Sequence, residues 1–346
     1  MMIAPRRYTS GRIAVANLSA SIDSFERRRA EDATSEGLLA LSTLLFLRGD
    51  VLGRIADHDR AERIAHEAIA LSADAGSALH THARLAARFH RFEEANALLG
   101  GALAAGYPSR EIDAEKAALL QATGRYREAL LLRETLAKDD PGIDTLGALA
   151  SLLAEMDEWA EAENGYAAAL KADDGLSPFP CGQLLFEWGV SAMRRADLDR
   201  AEAILAELHA ILPQHVPGRG HRAEVAIARG QLGLAEALIT PLLQISDDPE
   251  YRAVYAEILA AHGDGRAEGE AERTAAAYER LLARRPEAYA DHAVAFFLGV
   301  GNRPRRALEL AMANWKLRNT PRSRRLLAKA RQNAQPVPLA MGSTAA

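Results

Sequence analysis

The sequence predicts an all-α protein in which about eight helical hairpins stack into one array. Hydrophobic residues make up 49% of the 346 residues but aromatic residues only 5%, so the apolar surface is mostly Ala and Leu. A short polar turn followed by Ala recurs with a spacing close to 34 residues, and a second small residue precedes each such Ala by twelve positions. A regular period of this length is typical of stacked helical repeats.

Composition excludes several classes of protein. The chain is too apolar to be disordered along its length. The single cysteine, Cys181, cannot form an internal disulfide or a cysteine-rich metal site. No apolar run approaches the roughly 18–20 residues of a membrane helix, and the first twenty residues lack the apolar stretch of a secretory signal. We therefore expect a cytoplasmic protein, and the excess of Arg over Lys indicates a GC-rich bacterial genome.

The recurring Ala defines the second helix of each hairpin. Small residues twelve positions apart are expected where the two helices cross, because larger side chains would hold the backbones apart. Two helices of about 14 residues joined by a tight turn then form one unit. The anchor alanines are Ala61, Ala95, Ala129, Ala162, Ala201, Ala235 and Ala307, and their small partners are Gly49, Ala83, Ala117, Ala150, Gly189, Ala223 and Ala295.

The repeats predict the domain organisation. Capping elements are expected at both ends of the stack, since terminal repeats have a face without a neighbour. A segment at 1–34 contains one capping helix, the array covers 35–321, a second capping helix covers 322–335, and the uncharged end at 336–346 is predicted to be a disordered tail. The predicted repeats cover 36–73, 77–108, 110–141, 143–176, 181–213, 218–246, an irregular 249–285, and 288–321.

The pattern of a small residue, Ala twelve positions later and Pro about twelve further on resembles the tetratricopeptide repeat. Pro141 and Pro213 occupy the last of these positions. The Trp and Tyr of the family's first helix are mostly Leu and Ala here, with Trp188 beside Gly189 as the exception. The resemblance implies a right-handed α-solenoid whose first helices line a concave groove, and other helical repeats of similar length are the alternative.

The family resemblance also implies which residues face the groove. They precede the anchor Ala by 18, 15, 11, 8 or 7 positions. We expect a segment of a partner protein there, with Arg84 and Arg88 pairing to its acidic groups. The alternatives are a solvated face for these arginines and core packing for Phe186 and Met193. The predicted groove residues are His80, Arg84, Arg88, Gln121, Ser151, Glu155, Gln183, Phe186, Met193, Arg194, Glu224 and His292.

Positive charge is concentrated at the two ends of the chain. Residues 303–331 contain ten basic residues and one acidic residue, and residues 1–30 have a net charge of +4. Because the whole chain has a net charge of −5, the residues between these two segments have a net charge of −18. The C-terminal basic patch is interpreted as a solvated cap, a docking site for an acidic protein surface or a nucleic-acid site. A pI near 6.1 and a single aromatic, Trp315, argue against nucleic acid. The patch comprises Arg305, Arg306, Arg318, Arg322, Arg324 and Arg325.

Histidines offer few candidate metal ligands. His66-Glu67 begins like a zinc-binding helix motif, but no second His follows at the right offset. His82 and His90 lie about 12 Å apart along one helix, too far to bind one ion. His215 and His221 flank a loop, with no carboxylate close in sequence. We therefore predict no metal site.

The sequence lacks motifs for catalysis or cofactor binding. Gly218-Arg219-Gly220 follows a helix rather than a strand, which indicates a turn between repeats. We predict a non-catalytic interaction scaffold without a cofactor. The alternative is a small-molecule- or metal-binding accessory module with a pocket near His80, Arg84, Arg88 and Gln121, and an enzyme with a cleft around His292 or Cys181 ranks third.

Overall fold

The computed structural model describes residues 8–71 and 75–334, and the predicted tail at 336–346 lies outside them. Every regular element in this part of the chain is an α-helix, as predicted. The helices are α1 (Gly11–Glu31), α2 (Ser35–Leu52), α3 (Ile55–Leu71), α4 (Ala75–Arg88), α5 (Phe92–Ala104), α6 (Ser109–Ala122), α7 (Tyr126–Asp139), α8 (Ile143–Glu155), α9 (Trp159–Ala172), α10 (Pro178–Arg194), α11 (Leu198–Ile211), α12 (Val216–Ala228), α13 (Leu232–Ile239), α14 (Leu242–Ile245), α15 (Pro249–Ala261), α16 (Ala267–Arg284), α17 (Pro286–Leu298), α18 (Pro304–Leu317) and α19 (Pro321–Ala334).

Successive helices form eight hairpins, beginning with α2/α3 and ending with α17/α18. The second helix of hairpin six is split into α13 and α14 at Pro241, because proline cannot donate the helical hydrogen bond. Helix α1 packs on α2, and α19 packs on α18 and α17, so both ends of the stack are capped. None of the helices of the described chain is long and apolar enough to span a lipid bilayer.

The small residues lie at the helix crossings, with one exception. All seven anchor alanines are at most 2% exposed, and a Cβ added to Gly49 would lie 2.5 Å from the His58 ring. The prediction is wrong for Ala295, which is exposed. The turn between α17 and α18 has five residues where most hairpin turns have three, and this insertion moves the crossing position to the fully buried Ala293.

The stack curves so strongly that distant hairpins touch. The carboxylate of Asp247, which follows α14, accepts hydrogen bonds from the backbone N–H groups of Ile55 (2.7 Å) and Ala56 (3.0 Å) at the start of α3. This cap satisfies two N–H groups that a helix start leaves without partners. It explains why α3 begins six residues before Ala61, whereas the other second helices with an anchor Ala begin three residues before it.

Two further contacts repeat this overlap along the stack. His90, in hairpin two, places Nδ1 2.9 Å from the carbonyl oxygen of Glu287 in hairpin eight. Arg318, after α18, donates from Nε to the carbonyl oxygen of Ala122 in hairpin three (3.3 Å). The chain therefore completes a full superhelical turn, and its first helices enclose a channel instead of lining an open groove.

Candidate functional site

The channel contains a cavity of about 740 Å³. Seven of the eight hairpins contribute to its wall, chiefly through the first helix of each. The volume falls within the range of about 300–1,000 Å³ that is typical of ligand sites. The polar and aromatic side chains on its wall are those of Asp50, His58, Arg84, Arg88, Asp144, Ser177, Phe179, Gln183, Phe186, His215, His221, Asp248, Glu250, Tyr251, Tyr289 and His292.

Two arginines from α4 lie on one side of the cavity. Arg84 Nε lies 3.2 Å from Glu115 Oε1, and Arg88 Nε lies 3.5 Å from Asp50 Oδ1. Asp50 also contacts His58 Nε2 at 3.0 Å. Burial opposes ionisation of Asp50, but His58 and the two arginines hold its pKa below the ordinary value. Each arginine is thus held by a carboxylate through Nε on the wall of the cavity.

An acidic cluster with one histidine lies on α15 and α17, and its Asp248, Glu250 and His292 line the same cavity. His292 Nδ1 lies 3.3 Å from Glu250 Oε2, and His292 Nε2 lies 3.8 Å from Asp291 Oδ1. The charge of Glu250 and then of Asp291, opposed by burial, raises the pKa of His292 to about 10. Burial and the charge of Glu250 raise the pKa of Asp248, the N-cap residue of α15. At neutral pH the cluster therefore holds a protonated imidazole among carboxylates.

We expect the free energy of unfolding to fall as the pH rises from about 7 to about 10, in part because His292 loses its proton. The unfolded pKa of histidine is near 6.5, and the folded pKa is about 10. A group whose pKa is raised by folding stabilises the fold fully at a pH below its unfolded pKa. This contribution is lost as the pH rises through the folded pKa. Urea unfolding at several pH values measures this slope.

A His292→Gln variant serves as the comparison for this slope. Glutamine keeps polar atoms in place but does not titrate, so the fall in stability above pH 7 should be smaller than in the wild-type protein. Equal slopes for the two proteins would show that His292 is not protonated in the folded state.

The ring of Phe186, on the wall of the cavity, contacts two histidines at the start of α12. Its ring lies 5.2 Å from that of His215 and 5.5 Å from that of His221. Burial lowers the pKa of His215 to about 4, consistent with a neutral ring whose Nδ1 accepts the backbone N–H of Gly218 at 3.0 Å. His221 Nδ1 contacts Glu224 at 2.6 Å. The prediction that no carboxylate lies near His221 is wrong, since a residue three positions on lies one helical turn away.

The structure brings part of the predicted groove together. The predicted residues on the wall of the cavity are Arg84, Arg88, Gln183, Phe186 and His292. Glu155 pairs with Arg194 at 3.3 Å beside a second cavity of about 230 Å³. Met193 packs against the hydrophobic core, which was the alternative interpretation for this residue.

The remaining predicted groove residues make local contacts or lie outside both cavities. His80 stacks on Tyr107, with ring centres 4.4 Å apart. Glu224 binds His221 as described, and Ser151 and Gln121 line neither cavity. Of the residues predicted to form a pocket, Arg84 and Arg88 in the C-terminal half of α4 line the cavity, and His80 and Gln121 do not.

Several residues on the cavity wall were not predicted. Asp50 lies 11 positions before Ala61 and Tyr289 lies 18 positions before Ala307, so the rule for groove-facing positions would have found both. Glu250 has no anchor alanine in its irregular repeat. Glu250 is nevertheless the second residue after the N-cap of α15, and Pro217 has the same position after the N-cap of α12 in hairpin six.

The six arginines of the basic patch do not form one continuous surface. Arg306 binds Glu279 at 2.8 Å, and Arg318 lies 3.2 Å from Asp291. Of the six, Arg318, Arg322 and Arg325 line the second cavity together with Arg194, and Arg305 and Arg324 do not. Arg322 and Arg325 are exposed, as are Arg305 and Arg324.

Two other predictions concern reactive and metal-binding side chains. Cys181 is fully buried, as expected for a small core residue. Outside the channel, Glu62, His66 and His82 place their ligand atoms within 4.8 Å of one another. The spacing of histidines in the sequence does not reveal this group, because His82 lies on the next hairpin and not on the helix of His66.

Comparisons with known proteins concern the repeats and the fold. Residues 192–258 match a family model described as a tetratricopeptide repeat, while a search of curated proteins found no match. A Rap protein complexed with Competence and Sporulation Factor has 12% identity, covers 92% of this chain and 99% of that chain, and gives a TM-score of 0.55. The Cut9–Hcn1 hetero-tetramer of the APC/C has 15% identity, covers 90% and 59%, and gives a TM-score of 0.54. A tetratricopeptide repeat protein from Parabacteroides merdae has 19% identity, covers 71% and 91%, and gives a TM-score of 0.44.

The matched segment, 192–258, contains α11 to α14 and most of α15. The two structures with TM-scores above 0.5 share the solenoid fold over at least 90% of this chain. The hairpins on either side of the matched segment repeat the same pattern of buried small residues. Residues 192–258 therefore match the tetratricopeptide repeat, and the chain as a whole has the helical solenoid fold of the two structures with TM-scores above 0.5.

Proposed function

We propose that the protein is a non-catalytic scaffold that binds a short segment of a partner protein inside its channel. The observation that carries this proposal is the cavity of about 740 Å³, whose wall is built from seven hairpins of one closed superhelical turn. A segment in that position would contact seven of the eight hairpins at once. The single buried Cys181 supports a reducing compartment such as the cytoplasm.

The wall of the cavity favours a segment with both acidic and apolar side chains. The terminal nitrogens of Arg84 and Arg88 can donate to a carboxylate, for which the planar guanidinium is well suited. The aromatic rings of Phe179 and Phe186 offer apolar contact nearby. The Rap protein that shares this fold was solved in complex with Competence and Sporulation Factor, which supports partner binding by a solenoid of this length.

The test is binding of the full-length protein to an array of short random peptides, compared with an Arg84→Gln/Arg88→Gln variant. We expect the wild-type protein to select acidic peptides that contain aromatic or aliphatic residues. The variant should bind them at least about tenfold more weakly, since charge-assisted hydrogen bonds contribute roughly 1.5–3 kcal/mol each.

An Arg305→Gln/Arg324→Gln variant is the matched control, because it removes the same charge from the exposed outer surface. It should bind the selected peptides like the wild-type protein. Equal losses in the two variants would point to nonspecific electrostatic attraction, and an unchanged Arg84→Gln/Arg88→Gln variant would place the segment elsewhere.

A small polar metabolite is the second candidate occupant, because the cavity is enclosed by a full turn of the superhelix and has ligand size. The wall presents both guanidinium groups and carboxylates, which suits a zwitterion. A thermal-shift screen against amino acids and other zwitterions distinguishes the two proposals. A stabilising metabolite combined with no peptide selection would favour this second function.

A further inference from the structure

Three side chains from two neighbouring hairpins converge outside the channel. Glu62 and His66 lie one turn apart on the same face of α3. His82 projects towards them from α4, and the rings of His66 and His82 are 4.2 Å apart at an angle of 68°. One ligand atom of each of the three residues lies within 4.8 Å of those of the other two.

His82 provides a second, independent observation. The residue is only 6% exposed, and its Nε2 atom is buried without a hydrogen-bond partner among the described residues. A buried polar atom of this kind normally has a partner, so its absence needs an explanation. The ring nitrogen of a neutral imidazole is a common metal ligand, so a bound ion would supply the missing partner.

Arginines bind the two carboxylates of this group. Glu62 accepts hydrogen bonds from Arg91 and Arg285. Glu94 Oε1 lies 3.5 Å from His82 Nε2, and its other oxygen lies 3.3 Å from Arg91. The group thus offers two imidazoles, one fixed carboxylate and one carboxylate that can turn inward.

We propose that Glu62, His66 and His82 bind a divalent transition-metal ion of the zinc type, with Glu94 or water as the fourth ligand. Imidazole nitrogen combined with carboxylate oxygen is a ligand set that Zn²⁺ favours, whereas Mg²⁺ and Ca²⁺ prefer oxygen alone. Metal–ligand distances of about 2.0–2.2 Å require the side chains to move slightly closer together. A bound ion would link hairpin one to hairpin two.

The test uses the full-length protein, treated with a chelator and then titrated calorimetrically with Zn²⁺. We expect one site, a rise in melting temperature on addition of Zn²⁺, and no response to Mg²⁺. His66→Ala should weaken Zn²⁺ binding by about tenfold or more, and because His66 is exposed this variant should fold. Glu94→Gln is a second variant, and it should bind Zn²⁺ more weakly if Glu94 is the fourth ligand.

His262→Ala is the matched control, since His262 is an exposed histidine in the turn between α15 and α16. It should bind Zn²⁺ like the wild-type protein. The proposal is overturned if the wild-type protein does not bind Zn²⁺, if His66→Ala binds it with unchanged affinity, or if His262→Ala weakens binding as much as His66→Ala does.

Discussion

Replacing Arg285 with Ala is expected to lower the free energy of unfolding by about 3 kcal/mol and to loosen the closed superhelix. Arg285 Nη2 donates to Asp59 at 2.8 Å and to Glu62 at 2.6 Å. Its guanidinium carbon lies 3.5 Å from the centre of the Phe89 ring. Glu62 is only 8% exposed, and removing one partner of a buried ion pair typically costs about 3–5 kcal/mol. Arg91 remains bound to Glu62, which keeps the expected loss at the lower end.

Urea denaturation measures the stability change, and small-angle scattering measures the radius of gyration. Arg284→Ala is the matched control, because Arg284 is the preceding residue, its side chain is 58% exposed and its ion pair with Asp59 is 3.4 Å long. This control should change the stability by less than about 0.5 kcal/mol and leave the radius of gyration unchanged. A similar small effect of Arg285→Ala would mean that this contact does not hold the turns of the superhelix together.

The hairpins are predictable from the sequence because their determinants are local. The small residue of the first helix contacts the anchor Ala of the second helix at the crossing. The chain between them is half of each helix and the turn that joins the helices, so the spacing is nearly constant. Ala295 shows the limit of this argument. Two extra residues in one turn are enough to exchange it for Ala293 at the crossing.

The closure of the superhelix has no such local signal. Asp247 caps a helix that begins 192 residues earlier, and Arg285 binds a carboxylate 226 residues away. These contacts depend on a small rotation per repeat that accumulates over the stack. The sequence therefore indicates that Arg84 and Arg88 face inward, but not that the Glu250–His292 pair lies on the wall of the same cavity.

Replacing Trp188, the one Trp at the family's aromatic position, with Ala should also have a large effect. We expect Trp188→Ala to lower the free energy of unfolding by about 4 kcal/mol. Trp188 is 3% exposed and stacks on Tyr166, with ring centres 5.4 Å apart. Its Nε1 donates to Glu163 Oε1 at 2.8 Å, and the Arg200 guanidinium lies 4.7 Å from its ring. Loss of a buried tryptophan leaves a cavity between hairpins four and five and typically costs about 3–5 kcal/mol.

Trp188→Phe separates packing from hydrogen bonding at this position. Phenylalanine retains an aromatic ring against Tyr166 but has no N–H for Glu163, which keeps its contact with Arg200 (2.8 Å). The expected loss is therefore about 1–2 kcal/mol, from one hydrogen bond and a slightly smaller ring. Urea denaturation of both variants gives the comparison. If Trp188→Phe were as unstable as Trp188→Ala, the indole N–H rather than the packing of the ring would hold hairpins four and five together.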